Sequence, residues 1–495
     1  MMKKTILVLV VLALLVPASA FAATEFSLGG FIKLDSFWDS TQNTKNALTP
    51  IGRNNDQLYQ HGLFGMTAQG TRFNFTIKGP KLWGATTTGF IEMDFDGSAD
   101  ARVSNTASYA PRLRHAMFRL NWPETELMFG QYWGMVSEFS PECSGDAAFM
   151  YHGWSFQRTP QIRLTQKFAG SWTVAGALVK PYDPNTANDA LWDGTTNPTA
   201  GQFQTASVGL PGQASETPQV QAKLAYEQDL WGKAPFFGRP RGFVAQLNGA
   251  WQRDRYRANQ SGNAAQAAFT FGQNLYGAQG IYQTSQQYLD PWMIQGTLFV
   301  PVLPTYSNNL AGSASISAQY FVGQGTSAFG GGRDQDNSWF DFSGIRNVNG
   351  AIQDCYTRKL MNQWGGYLQG QYWFTNEWYL TAIWSFIRDF GVDQSRNAYL
   401  QSIGALATTA NVAGYNYATT QDQVKLWSEY DLTLWYRPIE AFKFGLTYAF
   451  ENTYYFQKLN NPQIAASGQT AGQPSAGAKN LGESHRIQFV AYMFF

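Results

Sequence analysis

Residues 440–456, EAFKFGLTYAFENTYYF, alternate with a period of two. Phe442, Phe444, Leu446, Tyr448 and Phe450 share one side; Lys443, Gly445, Thr447, Ala449 and Glu451 share the other. That is the repeat of a β-strand with one apolar and one polar face. Aromatic residues at the ends of the apolar face and aliphatic ones in its middle suit a strand that crosses a bilayer, because Tyr and Trp favour the two interfaces.

The pattern recurs along the chain. TRFNFTIK sets Phe73, Phe75 and Ile77 against Arg72, Asn74, Thr76 and Lys78. GFIEMDFD sets Ile91, Met93 and Phe95 against Glu92, Asp94 and Asp96. SEYDLTLWYRP sets Tyr430, Leu432, Leu434 and Tyr436 against Glu429, Asp431 and Thr433. Together the alternation predicts sixteen strands, over 25–38, 66–79, 84–96, 110–122, 125–133, 160–169, 171–181, 217–228, 241–256, 286–301, 310–323, 362–374, 377–389, 422–436, 440–456 and 483–495. The alternation is least clear in 110–122 and across 241–301.

Short connections rich in Pro, Gly and Asn (GPKLW, WPE, FTNE, RPIE) alternate with long polar ones. Short turns on one side and long loops on the other are the pattern of an outer-membrane barrel. Composition supports a wall that meets lipid. Only 14% of residues are charged and 16% are aromatic, whereas a soluble domain carries about 25% charge. A secreted β-sandwich or β-helix shares the period of two, but its polar face meets water and needs more charge. The expectation is an all-β fold: a transmembrane antiparallel β-barrel of about sixteen strands in the outer membrane of a Gram-negative bacterium. An open sheet in lipid would leave backbone groups unpaired, so the barrel must close.

The two ends fit export. Lys3 and Lys4 precede an apolar run, Ile6 to Val16, and then Ala20-Phe21-Ala22. This reads as a signal peptide over 1–22, leaving 23–495 as a single barrel domain. No other stretch supplies about 20 uninterrupted apolar residues for a helical span. At the far end, Ile487, Phe489, Ala491, Met493 and Phe495 form one apolar row on the last strand. A net charge of +1 argues against nucleic acid as a partner.

If the apolar faces meet lipid, the polar faces line the inside. Lys33, Glu92, Asp94, Glu429, Asp431 and Lys443 are then pore-lining residues, with Glu451 and Arg486 beside them. Sixteen strands enclose more space than side chains fill, which leaves an aqueous channel. Mixed charge in it gives a transverse field and weak ion selectivity. No catalytic set emerges: His61, His115, His152 and His485 are scattered and lack metal-ligand spacing. Neither cofactor nor metal is expected. The only cysteines, Cys143 and Cys355, either form one disulfide or remain thiols; spacing alone does not decide.

Three stretches resemble the general trimeric porins of Gram-negative outer membranes. GTRFNFTIKGP…TTTGFIEMDF is similar to their second and third strands, ELMFGQYWG to the fifth, and PECSGDAAF to the acidic turn of their third extracellular loop. The ending on Phe495 also resembles the C-terminal signal that the barrel assembly machinery reads. In that family the third loop folds inward and its carboxylates face a ladder of arginines. The resemblance implies Glu142 and Asp146 as the loop acids and Arg72 as the first ladder residue. It implies Arg112 or Arg114 as the second, and Arg158, with Arg163 as runner-up, as the third. Cys143 stands where the family has an aromatic residue, and the loops near 182–216 and 324–361 are longer. The resemblance further implies a homotrimer in outer-membrane lipid; the blurred LRHAMF strand would suit a wall covered by a neighbouring subunit.

The expected function is passive diffusion of small hydrophilic solutes and ions. Two alternatives compete. A barrel could sheath a cytochrome in an electron conduit, which calls for a wider lumen. Trp427 and Trp435 could line a substrate-specific channel, although the interface girdle is the expected place for both.

Overall fold

The computed structural model describes residues 24–41, 61–97, 109–144, 153–182, 211–257, 286–305, 309–331, 338–341, 346–348, 351–353, 357–390, 424–455 and 480–495. The segment read as a signal peptide, Asp146 and Cys355 lie outside the described residues, so the Cys143–Cys355 pairing does too.

Sixteen antiparallel strands form the wall. They are β1 (Glu25–Asp39), β2 (Leu63–Thr67 continued by Arg72–Leu82), β3 (Ala85–Asp94), β4 (Arg112–Asn121), β5 (Thr125–Trp133), β6 (Arg158–Phe168), β7 (Trp172–Val179) and β8 (Gln219–Gln228). They continue with β9 (Phe243–Trp251), β10 (Trp292–Leu303), β11 (Ala314–Gln324), β12 (Asn362–Trp373), β13 (Trp378–Phe390), β14 (Val424–Ile439), β15 (Phe442–Tyr455) and β16 (Leu481–Phe494). Each pairs with the next, and β1 pairs with β16 from Phe31↔Phe494 to Asp39↔Arg486, which closes the ring. Gly30 and Phe495 then exchange both backbone hydrogen bonds, each at 3.2 Å. Closure leaves no sheet edge for lipid to meet.

The alternation sets the two faces. On β14, Leu432 is 47% exposed on the outside and Asp431 6% exposed on the inside; on β16, Ile487 is 50% exposed and Arg486 4%. An apolar exterior over a polar, buried interior is the arrangement of a barrel solvated by lipid.

Four strands depart from plain alternation, each for a local reason. β2 breaks at Ala68–Thr71, where Thr71 N bonds Ala68 O and Thr71 Oγ1 accepts from Lys33 N. β4 carries a bulge, since Glu92 pairs with His115 and Met93 with Leu113. Arg114 is the extra residue, and both it and His115 are buried while Leu113 is exposed. The blur in LRHAMF therefore has a cause within the strand itself. The expected strands 241–256 and 286–301 each break in two. Their upper parts, Asp254–Arg257 and Gln286–Leu289, form a separate ribbon, and Pro291 at the break has no N–H to give the ladder.

The two-residue turn Trp83-Gly84, and Ala169-Gly170 in the three-residue connection 169–171, have positive φ at both positions. This is the turn whose twist matches a hairpin, and it places glycine second. The Phe237-Gly238 turn is of the same kind but caps an additional hairpin, Ala234–Phe236 with Arg239–Arg241. That hairpin sits on the short-turn side between β8 and β9, mostly between the expected strands 217–228 and 241–256. It tucks inward: Ser315 Oγ donates to Pro235 O, and Phe236 meets Phe299 at 5.4 Å between ring centroids.

Candidate functional site: the lumen and its folded-in loop

Between β5 and β6 the chain turns into the barrel. Met135–Ser137 make one 3-10 turn, and Met135 packs on Ala175, Ala177 and Val179 of β7. Val136 joins a buried cluster with Ala250, Met293, Phe321, Ala328, Phe329 and Ile387, from β9 round to β13. Phe139 packs on Phe236 of the inward hairpin, at 4.8 Å between centroids, with the Arg241 guanidinium 4.6 Å from its ring. A second segment enters after β11, where Gly325 and Gly330, both left-handed, flank Thr326–Phe329. Phe156 N donates to Gly330 O at 3.0 Å, which joins the returning limb of the first segment to the second. A Cβ at Gly330 would collide with the Phe156 backbone.

The tip of the loop is clamped. Glu142 lies against β12, β13 and β15. Its Oε1 accepts from Lys443 Nζ and Tyr379 OH, its Oε2 accepts from Gln371 Nε2, and its N–H donates to Gln369 Oε1, all at 2.6 Å. Burial alone would raise the Glu142 carboxyl, but Lys443 and the two further donors outweigh burial and hold it below the usual carboxylate range. Lys33 Nζ on β1 reaches Ser144 O at 3.2 Å and Asp35 at 2.9 Å. Two lysines from opposite sides of β16 thus hold the loop tip.

The basic residues have partners on their own side. Arg112 bonds Asp94 and Asp96 at 2.6 and 2.9 Å. Arg114 bonds Glu92 and Asp94 at 2.7 and 2.6 Å. The bulge settles what alternation could not: both arginines face inward. Arg163 and Lys223 share Glu138 of the inner loop, each at 2.6 Å. Arg158 lies over Trp133 and Phe156 at about 5 Å, and Arg72 lies 5.2 Å from the Phe31 ring. Glu138 was missed from sequence, although it stands four residues before Glu142 in the same loop.

Opposite this, Glu429, Asp431 and Glu451 line the inside of β14 and β15. Arg486 on β16 is gripped by Asp39, at 2.6 and 2.8 Å. Trp427 and Trp435 also point inward, which corrects the girdle expectation. Both share the parity of Glu429 and Thr433, and both are buried. Trp427 Nε1 donates to Glu451. Trp373, Tyr379 and Trp435 stack in sequence, with centroids 4.0 and 6.0 Å apart, and Lys443 Nζ lies 3.7 Å from the Trp435 ring.

No family model matches this chain, and no curated protein matches it. Solved structures do. The outer membrane channel DcaP of Acinetobacter baumannii matches with a TM-score of 0.57 at 14% identity, over 96% of this chain and 99% of that one. An anion-selective porin from Comamonas acidovorans matches at 0.49 and 10% identity, over 96% and 100%. OmpF of Salmonella typhi matches at 0.43 and 10% identity, over 94% and 97%. At such identities the likeness is one of fold, and the first of the three carries it. The chain is a closed transmembrane β-barrel of the outer membrane with a porin-like fold.

Proposed function

We propose that the protein is a porin that lets small hydrophilic solutes and ions diffuse across the outer membrane. One observation carries this reading: the closed sixteen-stranded wall turns its polar face inward and a loop folds in to narrow it. Such a loop sets bore and field where solutes pass. Glu142, with the Lys33 and Lys443 clamp, sets the position of the loop. Arg72, Arg112, Arg114, Arg158 and Arg163 form the basic side of the constriction, and Asp146 is assigned with Glu142 to the acidic side. The signal peptide over 1–22, the reading of Phe495 by the assembly machinery and a homotrimer belong to the same proposal. Single-channel recording in planar bilayers tests it. Steady, near-ohmic steps that close in threes are expected for a trimer; a silent bilayer would sink the reading.

The Trp373–Tyr379–Trp435 stack favours a second reading, a channel selective for solutes with flat apolar faces. Concentration-dependent block by an aromatic or sugar solute, relieved in Trp435→Ala, separates it from general diffusion. The cytochrome sheath is set aside, because the two inward segments occupy lumen that a folded protein would need.

A further inference from the structure

One row of inward residues runs across four neighbouring strands. Ser385 pairs with Glu429, Glu429 with Glu451, and Glu451 with Ser484. Neighbours in such a row stand about 4.8 Å apart. Glu429 and Glu451 are two carboxyl groups directly opposite each other, an arrangement that destabilises a sheet when both ionise unless something offsets it. Asp431 adds a third carboxylate two residues along. Among the described residues, the cation that acts on Glu429 is Arg486, and Asp39 already grips it.

The row is also short of hydrogen bonds. Ser385 Oγ, Glu429 Oε2 and Ser484 Oγ have no partner, nor has Thr41 Oγ1 just beyond the end of β1. All four side chains are more than nine-tenths buried. Buried polar groups are ordinarily satisfied, so a cluster of unmet acceptors points to a ligand that brings donors. Beside the carboxylates, Val424, Trp427 and Tyr455 form a buried apolar cluster.

We propose that this row binds the ammonium groups of an organic cation, a primary amine or diamine. The inference rests on the channel reading and names a solute class for the same lumen. An ammonium group has three donors and no acceptor, which complements a row of carboxylates and hydroxyls. The apolar cluster takes the methylene chain, and the indole face of Trp427 attracts a cation. A metal ion fits less well: among the described residues, no three His, Cys, Asp or Glu side chains are placed to hold one.

Calorimetric titration of the purified full chain in detergent with 1,4-diaminobutane tests the site, with 1,4-butanediol as the uncharged control. Saturable binding of the diamine alone is expected, weakened at least about tenfold in the double variant Glu429→Gln, Glu451→Gln. Should that variant fail to fold, Glu429→Gln alone gives the same comparison. No binding to the wild type, or equal binding to wild type and variant, overturns the proposal. Bilayer recording separates the two readings. A conducting protein that binds no diamine loses the site and keeps the channel; a silent protein that binds it keeps the site and loses the channel.

Discussion

On the wall made by β3 and β4, Glu92, Asp94 and Asp96 meet Arg112 and Arg114 in four ion pairs. On the wall made by β14, β15 and β16, Glu429 and Glu451 share Arg486, whose bidentate partner is Asp39, and Asp431 lies beside them. Both walls are polar, inward and buried. The first gives each of its three carboxylates an arginine, and these pairs hold adjacent strands in register. The second gathers more carboxyl groups than cations. The two walls differ in how far their charges are paired.

The largest effect should come from breaking the paired wall. Arg114→Met leaves Glu92 without its arginine and Asp94 with Arg112 alone, and the loss of one partner from a buried ion network costs about 3–5 kcal/mol. The denaturant midpoint of the folded barrel should fall accordingly, and the reversal potential in a salt gradient should move toward cations. An unchanged midpoint would mean that the pairs contribute nothing to stability.

The loop clamp comes next. Glu142→Gln should shift the reversal potential toward anions and make open-channel current noisier, because Lys443 loses its counter-charge. An unmoved reversal potential would remove Glu142 from the constriction. The pH dependence follows from the same contacts. The folded Glu142 carboxyl lies below its ordinary value of 4.5. The clamp therefore contributes fully above that value and is lost only as pH falls through the lowered one. Current traces at neutral pH and at about pH 5 should match, with noise appearing only in more acidic solution. Noise that begins near neutrality would contradict the assignment.

The unbalanced wall should respond in the opposite way to the paired one. Glu429→Gln removes a buried carboxylate that lacks a partner, so stability should hold or rise, within about 1 kcal/mol. Selectivity should nonetheless shift toward anions. A stability loss as large as that of Arg114→Met would erase the contrast between the walls. Smallest of all is Glu25→Gln. Its pair with Lys78, at 3.1 Å, is exposed, and such pairs contribute under about 1 kcal/mol. A larger shift in the midpoint would mean that burial is not what separates the two kinds of pair.

The wall was legible in the sequence because alternation is local: Tyr430, Leu432 and Leu434 oppose Glu429, Asp431 and Thr433 whatever the rest of the chain does. The same parity held the place of Trp435, two residues beyond Thr433, but the preference of tryptophan for interfaces argued the other way. What the sequence hid depends on distance. Glu142 meets Lys443 across 301 positions, and no local pattern says where a loop tip will land. Arg114 could not be assigned a face because a bulge adds one residue and breaks the period. The inward hairpin was masked by Pro235 and Pro240, which suppress a strand reading; its signal was the Phe237-Gly238 turn.

The meeting of Gly30 with Phe495 has a consequence for biogenesis. The first strand made and the last strand made satisfy each other, so throughout synthesis the growing sheet has no way to cap itself. Every shorter chain would carry two raw edges, each a template for pairing with another copy. The molecule gains nothing by folding early, since the contact that finishes it is also the most distant in sequence and the slowest to find. The sheet is complete only once that seam forms.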